Sequence, residues 1–434
     1  MISPCLSVNS QGHLAIGGMD VPALAREYGT PLFLMDEDNI RATCREYRRA
    51  MQAHYGENFI VAYASKAFCT KYMYRILKEE EMGADLVSGG ELYTAHSAGF
   101  PLDRAFFHGN NKTAEEIEMG LSYGIRRFVV DNAEELALIN QMAVQRGMVA
   151  DISFRIKPGI DAHTHDFIKT GKIDSKFGVA LENGEAIEIL AQAAKLPGVR
   201  VAGLHCHIGS QIFEHDPFEH AAEVMMDFLN TVREKLGITI GELNLGGGFG
   251  IQYTAKDDPE PIDTTVRRFT DVVKRKAEEH DFPLPFLVIE PGRSMVAPSG
   301  ITVYTVGSVK EIKNIRTYVS IDGGMTDNPR YALYESEYTA VAPEKMNEPQ
   351  TECVTIAGRC CESGDLIGKD MPLQKVKAGD LVAILATGAY NYSMASNYNR
   401  VPRPPVVMVS GGKSKLVIRR ESYEDLIAND ICDD

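Results

Sequence analysis

The feature that most constrains the fold is a regular alternation of short apolar runs with longer amphipathic segments between about residues 30 and 297. Eight runs are candidate strands: residues 59–64, 84–87, 105–108, 127–131, 152–156, 199–207, 243–245 and 285–290. The segments between them, such as 71–78, carry apolar residues every three or four positions, the period of a helix with one buried face. Strands that alternate with helices pair in parallel, and eight such units predict a closed (β/α)8 barrel, with a doubly wound open sheet as the alternative.

After residue 298 the helical periodicity gives way to short β-rich runs separated by turn residues. These runs are residues 301–309, 318–321, 352–357, 381–385, 406–410 and 415–418. They predict a second, mainly antiparallel β-barrel or sandwich domain at 298–434, joined by residues 1–29 because 13–16 can add a strand. The predicted fold class is therefore α/β plus β, with a (β/α)8 TIM-like barrel at 30–297 followed by this β domain.

Composition narrows the classes of protein that the chain can belong to. Its 434 residues allow two domains, and 44% hydrophobic with 24% charged residues is typical of a globular protein. Forty-five basic against sixty acidic residues give a net charge of −15, which argues against a nucleic-acid or anionic membrane partner. No apolar run reaches the roughly 18 residues of a membrane span, and the first residues lack the features of a signal peptide. The eight cysteines contain no Cys-x-x-Cys pair, so we expect a cytoplasmic protein without a zinc ribbon or disulfide framework.

Polar residues follow the predicted barrel strands, where barrel enzymes carry their chemistry. Lys66 ends the first strand, and burial there would disfavour its ammonium form and lower its pKa, as a Schiff-base lysine requires. A snorkelling or ion-paired lysine is the alternative. The polar residues after the next strands include Asp85, His108, Asn110, Asp131, Asn132 and Arg155.

Two groups at the sixth and seventh strands can be interpreted in more than one way. The glycines at 246–248 suit a close approach of backbone N–H groups to a phosphate, and also a tight barrel turn. His205 and His207 share one face of the sixth strand. They either ligate a metal or, together with Ser210, bind a flat phosphorylated cofactor.

Glu290 and Arg293 lie three residues apart at the end of the eighth strand. A structural ion pair is one interpretation. The other is a carboxylate site for a protonated pyridine nitrogen, because a nearby opposite charge favours the charged form of that nitrogen.

Six motifs occur here in the order seen in diaminopimelate decarboxylases. They are Tyr63-Ala-Ser-Lys-Ala67, His205-x-His-Ile-Gly-Ser-Gln211, Gly246-Gly-Gly-x-Gly250, Glu290-Pro-Gly-Arg293, Cys361-Glu-Ser-Gly-Asp365 and Gly388-Ala-Tyr390. The chain therefore resembles that family, which belongs to the fold-type III pyridoxal-phosphate-dependent decarboxylases with the ornithine and arginine decarboxylases. The resemblance extends over nearly the whole chain. It implies a lyase that uses pyridoxal 5'-phosphate to convert meso-2,6-diaminopimelate to L-lysine and CO2, the last step of lysine biosynthesis.

The resemblance implies roles for the matched residues. Lys66 would hold the cofactor covalently, His207 would stack on its ring, and Glu290 would pair with its pyridine nitrogen. The other implied cofactor residues are Asp85, Ser210, Gly246, Gly247, Gly248, Pro291, Gly292, Arg293 and Tyr390, and Arg155 matches a position near the Schiff base. The implied substrate residues are Arg293, Arg330 and Tyr334 for the distal carboxylate, Glu362 for the distal ammonium, and Tyr390.

The resemblance also implies an assembly. Cys361 would come from the neighbouring subunit and return a proton after CO2 leaves, so the protein would be a homodimer with shared active sites. Because Cys361 belongs to the matched motif, we expect the preceding Cys360 to pack within a strand. The segment 162–171 resembles the family's loop over the barrel mouth.

Three other functions remain open. A related decarboxylase could act on ornithine, arginine or a carboxylated polyamine, although Arg330, Tyr334 and Glu362 favour diaminopimelate. A non-catalytic regulatory homologue is disfavoured because both Lys66 and Cys361 are present. A metal-dependent barrel hydrolase would be built on His205 and His207, but the third ligand that such a site needs is not evident, and no metal is expected.

Overall fold

The computed structural model of the chain describes residues 2–160, 176–214 and 216–432. The chain forms two compact units. The barrel unit consists of Thr43–Gly250 and Pro259–Gly292, and the β unit of Met1–Ala42, Ile251–Asp258 and Arg293–Asp434. The segment 162–171, expected to cover the barrel mouth, lies outside the described residues.

The barrel unit is built on eight parallel strands that close on themselves. In chain order, as barrel strands 1 to 8, they are Phe59–Ala64, Gly83–Leu86, Ala105–Phe107, Arg127–Val130, Ala150–Lys157, Val199–Cys206, Glu242–Asn244 and Phe286–Ile289. Each strand pairs in parallel with the next, and barrel strand 8 returns to barrel strand 1, with Leu287 opposite Phe59. This closing pair confirms the predicted (β/α)8 TIM-like barrel and excludes the open sheet. A short strand, Val179–Ala180, adds to barrel strand 5.

Helices precede and connect the barrel strands, as the apolar periodicity predicted. They are Glu37–Tyr55, Lys71–Glu79, Gly89–Ser97, Ala114–Tyr123, Ala133–Gln145, Glu185–Ala193, Asp216–Leu236 and Ile262–Glu279. Several begin at a capping side chain; at Thr113, the hydroxyl accepts from the Glu116 amide and the Glu116 carboxylate accepts from the Thr113 amide. Because these helix starts follow the C-terminal ends of strands, the caps help to fix the loops that carry the polar residues. Within the described residues, no helix combines the length and apolar character needed to cross a membrane.

The barrel strands share a buried apolar cluster, and the two ends of the barrel differ chemically. Four strands contribute the residues of this cluster: Ala62, Phe106, Val129 and Val288. At the N-terminal ends of the strands, the buried Glu242 accepts hydrogen bonds from Arg127 (3.0 Å) and Arg126 (3.1 Å). The opposite, C-terminal ends carry the candidate site.

The β unit is mainly antiparallel sheet, as predicted. In spatial order its main sheet runs through Leu366–Leu373, Glu352–Ala357, Arg316–Ile321, Gly300–Ile312, Leu32–Asp36, Val406–Ser410 and Lys413–Ile418. Ala340–Val341 pairs with Leu381–Leu385, which pairs with Gly300–Ile312. A separate three-stranded sheet contains Leu6–Val8, Leu14–Ile16 and Met19–Asp20. The helices are Val21–Tyr28, Arg293–Val296, Arg330–Tyr334 and Tyr423–Ile427.

Three stretches of the predicted barrel region, residues 30–42, 251–258 and 293–297, belong to the β unit instead. Leu32–Asp36 falls within the predicted barrel region but pairs antiparallel with Gly300–Ile312 and parallel with Val406–Ser410. Its five residues are all buried, and a strand buried on both faces does not reveal from its sequence which sheet it joins.

Candidate active site

The carboxylate of Glu290, just after barrel strand 8, is the centre of a buried polar cluster. It accepts hydrogen bonds from His108 Nε2 (2.7 Å), His205 Nε2 (3.1 Å) and Asn244 Nδ2 (2.6 Å). Burial alone would raise the pKa of Glu290, but the two histidines outweigh it and hold that pKa well below its usual range. Glu290 is therefore ionised although it is only 5% exposed.

His205 is the neutral partner in this cluster. Burial lowers the pKa of His205 to about 3, against the opposing effect of Glu290. Its Nδ1 has no hydrogen-bond partner among the described residues. The imidazole therefore carries its proton on Nε2 and donates it to the carboxylate.

His207 contacts a different group from His205. Its Nδ1 accepts a long hydrogen bond from the Gly247 amide (3.4 Å). Burial, aided by the positive charges of Lys66 and Arg155, holds the pKa of His207 well below its usual range. Barrel strand 6 ends at Cys206, so strict alternation stops before His207.

Among the described residues, the group of side chains that could hold a metal ion contains His205 but not His207, the other histidine of the metal pair considered from the sequence. In this group His108, His205 and Glu290 offer ligand atoms within 4.8 Å of one another. The imidazole nitrogens and carboxylate oxygens face each other at hydrogen-bond distances, 2.7 and 3.1 Å, and N–H donation to an ionised carboxylate accounts for this arrangement.

The glycines after barrel strand 7 form a turn that only glycine fits. A Cβ on Gly247 would lie 2.1 Å from the Glu290 carbonyl oxygen, and one on Gly246, which has φ +69°, 2.5 Å from the Cys206 carbonyl oxygen. The Ile212 amide donates to the Gly248 carbonyl (3.0 Å), which brings the segment containing Ser210 alongside this turn. The predicted phosphate residues of these two segments are therefore neighbours.

Lys66 lies in a short 3-10 turn, Ser65–Ala67, directly after barrel strand 1. The predicted desolvation of Lys66 is wrong, because its side chain is 44% exposed. Ser65 and Ala67 in the same turn are buried, so the exposure is confined to the Lys66 side chain between them. The neighbouring backbone is fixed by Pro291, whose carbonyl accepts from the Ala64 amide (3.1 Å), and by Gly292, where a Cβ would meet Ala64 Cβ at 2.8 Å.

Asp85, near the end of barrel strand 2, lies close to Lys66. Its Oδ2 is 4.0 Å from Lys66 Nζ, and its buried Oδ1 has no hydrogen-bond partner among the described residues. Burial raises the pKa of Asp85; His108, Lys66 and Arg155 oppose the rise, and Glu290 adds to it. Arg155 stacks on Phe177, with the guanidinium 4.3 Å from the ring centroid.

In the β unit, Tyr390 is shared by two buried arginines. The guanidinium of Arg293 lies 4.8 Å from its ring centroid and that of Arg330 lies 5.3 Å from it. Arg330 also lies over the ring of Tyr334 (4.9 Å), and its buried Nε has no hydrogen-bond partner among the described residues. Arg293 donates to the hydroxyl of Tyr253 (2.7 Å). The structure thus brings together Arg293, Arg330, Tyr334 and Tyr390.

Cys361 and Glu362 lie on an exposed loop of the β unit. Asp365, which is buried, anchors this loop by accepting from the amides of Cys360 (2.7 Å) and Met325 (2.6 Å). Cys360, expected to pack on a strand, instead lies in the loop beyond Glu352–Ala357 because the chain turns there.

Three contributors to the two clusters were missing from the predicted site: His108, Asn244 and Tyr253. His108 and Asn244 had a usable signal, since each is a polar residue at the C-terminal end of a barrel strand. Tyr253 had none.

Comparison with known proteins gives a consistent result. Residues 37–297 match the family "Pyridoxal-dependent decarboxylase, pyridoxal binding domain". The diaminopimelate decarboxylase of Bacillus subtilis is 47% identical over 423 residues, which cover 98% of this chain and 96% of that protein. The diaminopimelate decarboxylase of Synechocystis is 42% identical over 431 residues, which cover 98% of this chain and 91% of that protein. The crystal structure of diaminopimelate decarboxylase from M. jannaschii in complex with L-lysine has a TM-score of 0.91 and 38% identity, and covers 100% of this chain and 99% of its own.

Proposed function

We propose a role for each cluster in this chain, which belongs to the diaminopimelate decarboxylase family of pyridoxal-dependent decarboxylases. It is a carboxy-lyase that converts meso-2,6-diaminopimelate to L-lysine and CO2, with pyridoxal 5'-phosphate as its cofactor. When bound, the cofactor accepts the electron pair released as the bond between Cα and the carboxylate breaks.

The observation that carries the cofactor assignment is the ionised Glu290. A carboxylate offers about four acceptor sites, and three donors from the described residues use three of them. The remaining site suits one more donor, the protonated pyridine nitrogen. The unpartnered Oδ1 of Asp85 and the close-packed glycine turn also fit a polar, phosphorylated ring.

We assign the covalent link to Lys66 and the ring contact to His207. The exposure of Lys66 leaves its Nζ accessible to an aldehyde, and Asp85 at 4.0 Å orients it by charge. A neutral imidazole at His207 presents a flat face without adding a second positive charge. Ser210, Gly246, Gly247, Gly248, Pro291, Gly292, Arg293 and Tyr390 complete the proposed cofactor set.

We assign the recognition of the distal carboxylate to the β unit. Arg330 has a buried Nε without a partner among the described residues, and a buried polar group of this kind normally has one. A carboxylate would supply it, with Arg293, Tyr334 and Tyr390 around it. Glu362 is the proposed contact of the distal ammonium. Ornithine and arginine lack the distal carboxylate, so such a cluster favours diaminopimelate over them.

We further propose a homodimer with shared active sites, in which the partner subunit's Cys361 returns a proton to the substrate carbon. The exposure of both Cys361 and Glu362 on one loop supports this, because each is then accessible to a second subunit. The eight cysteines, all of them among the described residues, form no disulfide bond, which suits a reducing compartment such as the cytoplasm.

Substrate turnover tests the proposed function. Purified protein is mixed with pyridoxal 5'-phosphate and meso-2,6-diaminopimelate, with ornithine and arginine in parallel, and CO2 and the amine product are measured. We expect L-lysine from diaminopimelate and no product from the other two. Turnover of ornithine or arginine instead would contradict the roles of Arg330 and Glu362 while leaving the cofactor assignment intact.

A further inference from the structure

His108 is a buried titratable side chain to which the proposed function gives no role. It follows barrel strand 3 and is 4% exposed. Its Nε2 is 2.7 Å from Glu290 Oε1 and 3.7 Å from Asp85 Oδ1. One N–H group therefore faces both buried carboxylates at the C-terminal end of the barrel.

The backbone on both sides of His108 is fixed. The His108 amide donates to the Leu86 carbonyl (2.7 Å), and the carbonyl of Gly109 accepts from Lys112 Nζ (3.0 Å). Lys112 is itself immobilised, because its buried ammonium also donates to the Val129 carbonyl (2.8 Å) and to Glu135 (2.7 Å). The ring is also packed edge-on against His205, with centroids 4.7 Å apart. The imidazole therefore has little freedom to turn away from Glu290.

We propose that His108 is a positioning residue for the decarboxylation, which holds the Glu290 carboxylate in place and makes it a weak base. The proposal rests on the proposed function, because it takes the fourth acceptor site of Glu290 to be the one that meets the pyridine nitrogen. Each donor on a carboxylate stabilises its charged form. A proton shared between a weakly basic carboxylate and the pyridine nitrogen stays on the nitrogen, where it draws electrons from the substrate.

Loss of the His108 donor would make Glu290 more basic. His205 and Asn244 would still bind it, so the carboxylate would remain in place but would take a larger share of the proton. The pyridine nitrogen would then attract electrons less strongly. The change should slow the chemical step more than it weakens substrate binding.

The test compares His108→Phe, which removes the donor, with His108→Gln, which retains an N–H donor. The holoenzymes carry pyridoxal 5'-phosphate labelled with 15N at the ring nitrogen, whose protonation is read directly by solid-state NMR. For His108→Phe we expect a bound cofactor, a nitrogen signal moved toward the unprotonated form, and a kcat about 10- to 100-fold lower, as for loss of a hydrogen bond to a charged group. KM for diaminopimelate should stay within about threefold, and His108→Gln should restore most of the nitrogen signal and of kcat.

The exposed His96, which stacks on Tyr123, provides the matched control, because His96→Phe should change neither readout. An unchanged nitrogen signal and kcat in His108→Phe would overturn the proposal. If the phenylalanine variant does not fold, His108→Ala removes the donor without adding volume and is compared with His108→Gln in the same way. Wild-type protein that neither binds the labelled cofactor nor releases CO2 from diaminopimelate would instead contradict the proposed function.

Discussion

At the scale of single residues, the proposed substrate selectivity depends on how the guanidinium of Arg330 is held. It lies between the rings of Tyr334 and Tyr390, 4.9 and 5.3 Å from their centroids. Tyr390 itself has φ +63°, an uncommon value for a residue with a side chain. Aromatic rings on a planar guanidinium leave its edge available for a bidentate contact with a carboxylate, which a lysine ammonium cannot reproduce.

Arg330→Lys should therefore raise KM for diaminopimelate about 10- to 100-fold, equivalent to losing about 1.5–3 kcal/mol of a charged hydrogen bond. Cofactor absorbance should not change. The control is Arg26→Lys, since Arg26 is an exposed arginine of the same unit, 3.8 Å from Glu344. Steady-state kinetics that gave the same KM for both variants would remove Arg330 from the substrate site.

The sequence identified candidate site residues but not their environments. Lys66 was predicted from its position after an apolar strand, yet its exposure was predicted wrongly, because buried neighbours do not determine the direction of the one side chain between them. Glu290 was assigned to a pyridine nitrogen, but its pairing with the two histidines that keep it ionised was not predicted. His108 and His205 lie 182 and 85 positions from Glu290, separations that no local pattern reveals.

At the scale of elements, the turn after barrel strand 7 sets how closely the neighbouring strand ends approach. Gly247 touches the backbone of Glu290, and Gly246 touches that of Cys206. The Glu290 amide also donates to the Gly246 carbonyl (2.7 Å). The ends of barrel strands 6, 7 and 8 are therefore held together by backbone contacts, and Glu290 is placed by them.

Gly247→Ala should weaken binding of pyridoxal 5'-phosphate and lower the melting temperature, because the added Cβ would lie 2.1 Å from the Glu290 carbonyl oxygen. We expect a loss of about 1–3 kcal/mol in the free energy of unfolding, typical of overpacking. Gly241→Ala, just before the same strand, is the matched control because nothing lies within 4 Å of its ideal Cβ. Thermal unfolding and spectral titration of the cofactor measure both effects; equal behaviour of the two variants would contradict this account of the turn.

Strands and helices could be predicted from the sequence where a local pattern of apolar residues marks them. The barrel strands are buried runs between helices with a clear period, and all eight were identified. The strand Leu366–Leu373 was not predicted, since Gly368, Asp370 and Pro372 interrupt its apolar pattern and its pairing with Glu352–Ala357 contains register shifts. Its formation depends on a partner strand that the sequence alone does not specify.

At the scale of the whole molecule, the proposal requires two subunits for one active site. Lys66 is proposed to act in its own subunit, whereas Cys361 acts in the site of the partner. The two residues should therefore be separable by mixing inactive variants, because a twofold-symmetric dimer has two equivalent sites.

Lys66→Ala and Cys361→Ala should each lack most activity as pure dimers. After subunit exchange in a 1:1 mixture, random pairing makes half of the dimers hybrids with one intact site, so about a quarter of wild-type activity should return. Each variant exchanged with itself is the control. A mixture no more active than its components, or a fully active monomer in analytical ultracentrifugation, would contradict the shared site.

Chemical trapping identifies the lysine that binds the cofactor, which we propose is Lys66 at the end of barrel strand 1. The protein loaded with pyridoxal 5'-phosphate is reduced with borohydride, digested and analysed by mass spectrometry. We predict that the pyridoxyl-phosphate mass is added to the peptide containing Lys66 and is missing from that peptide in Lys66→Ala. Modification of a different lysine, or no stable modification of the wild-type protein, would contradict the account.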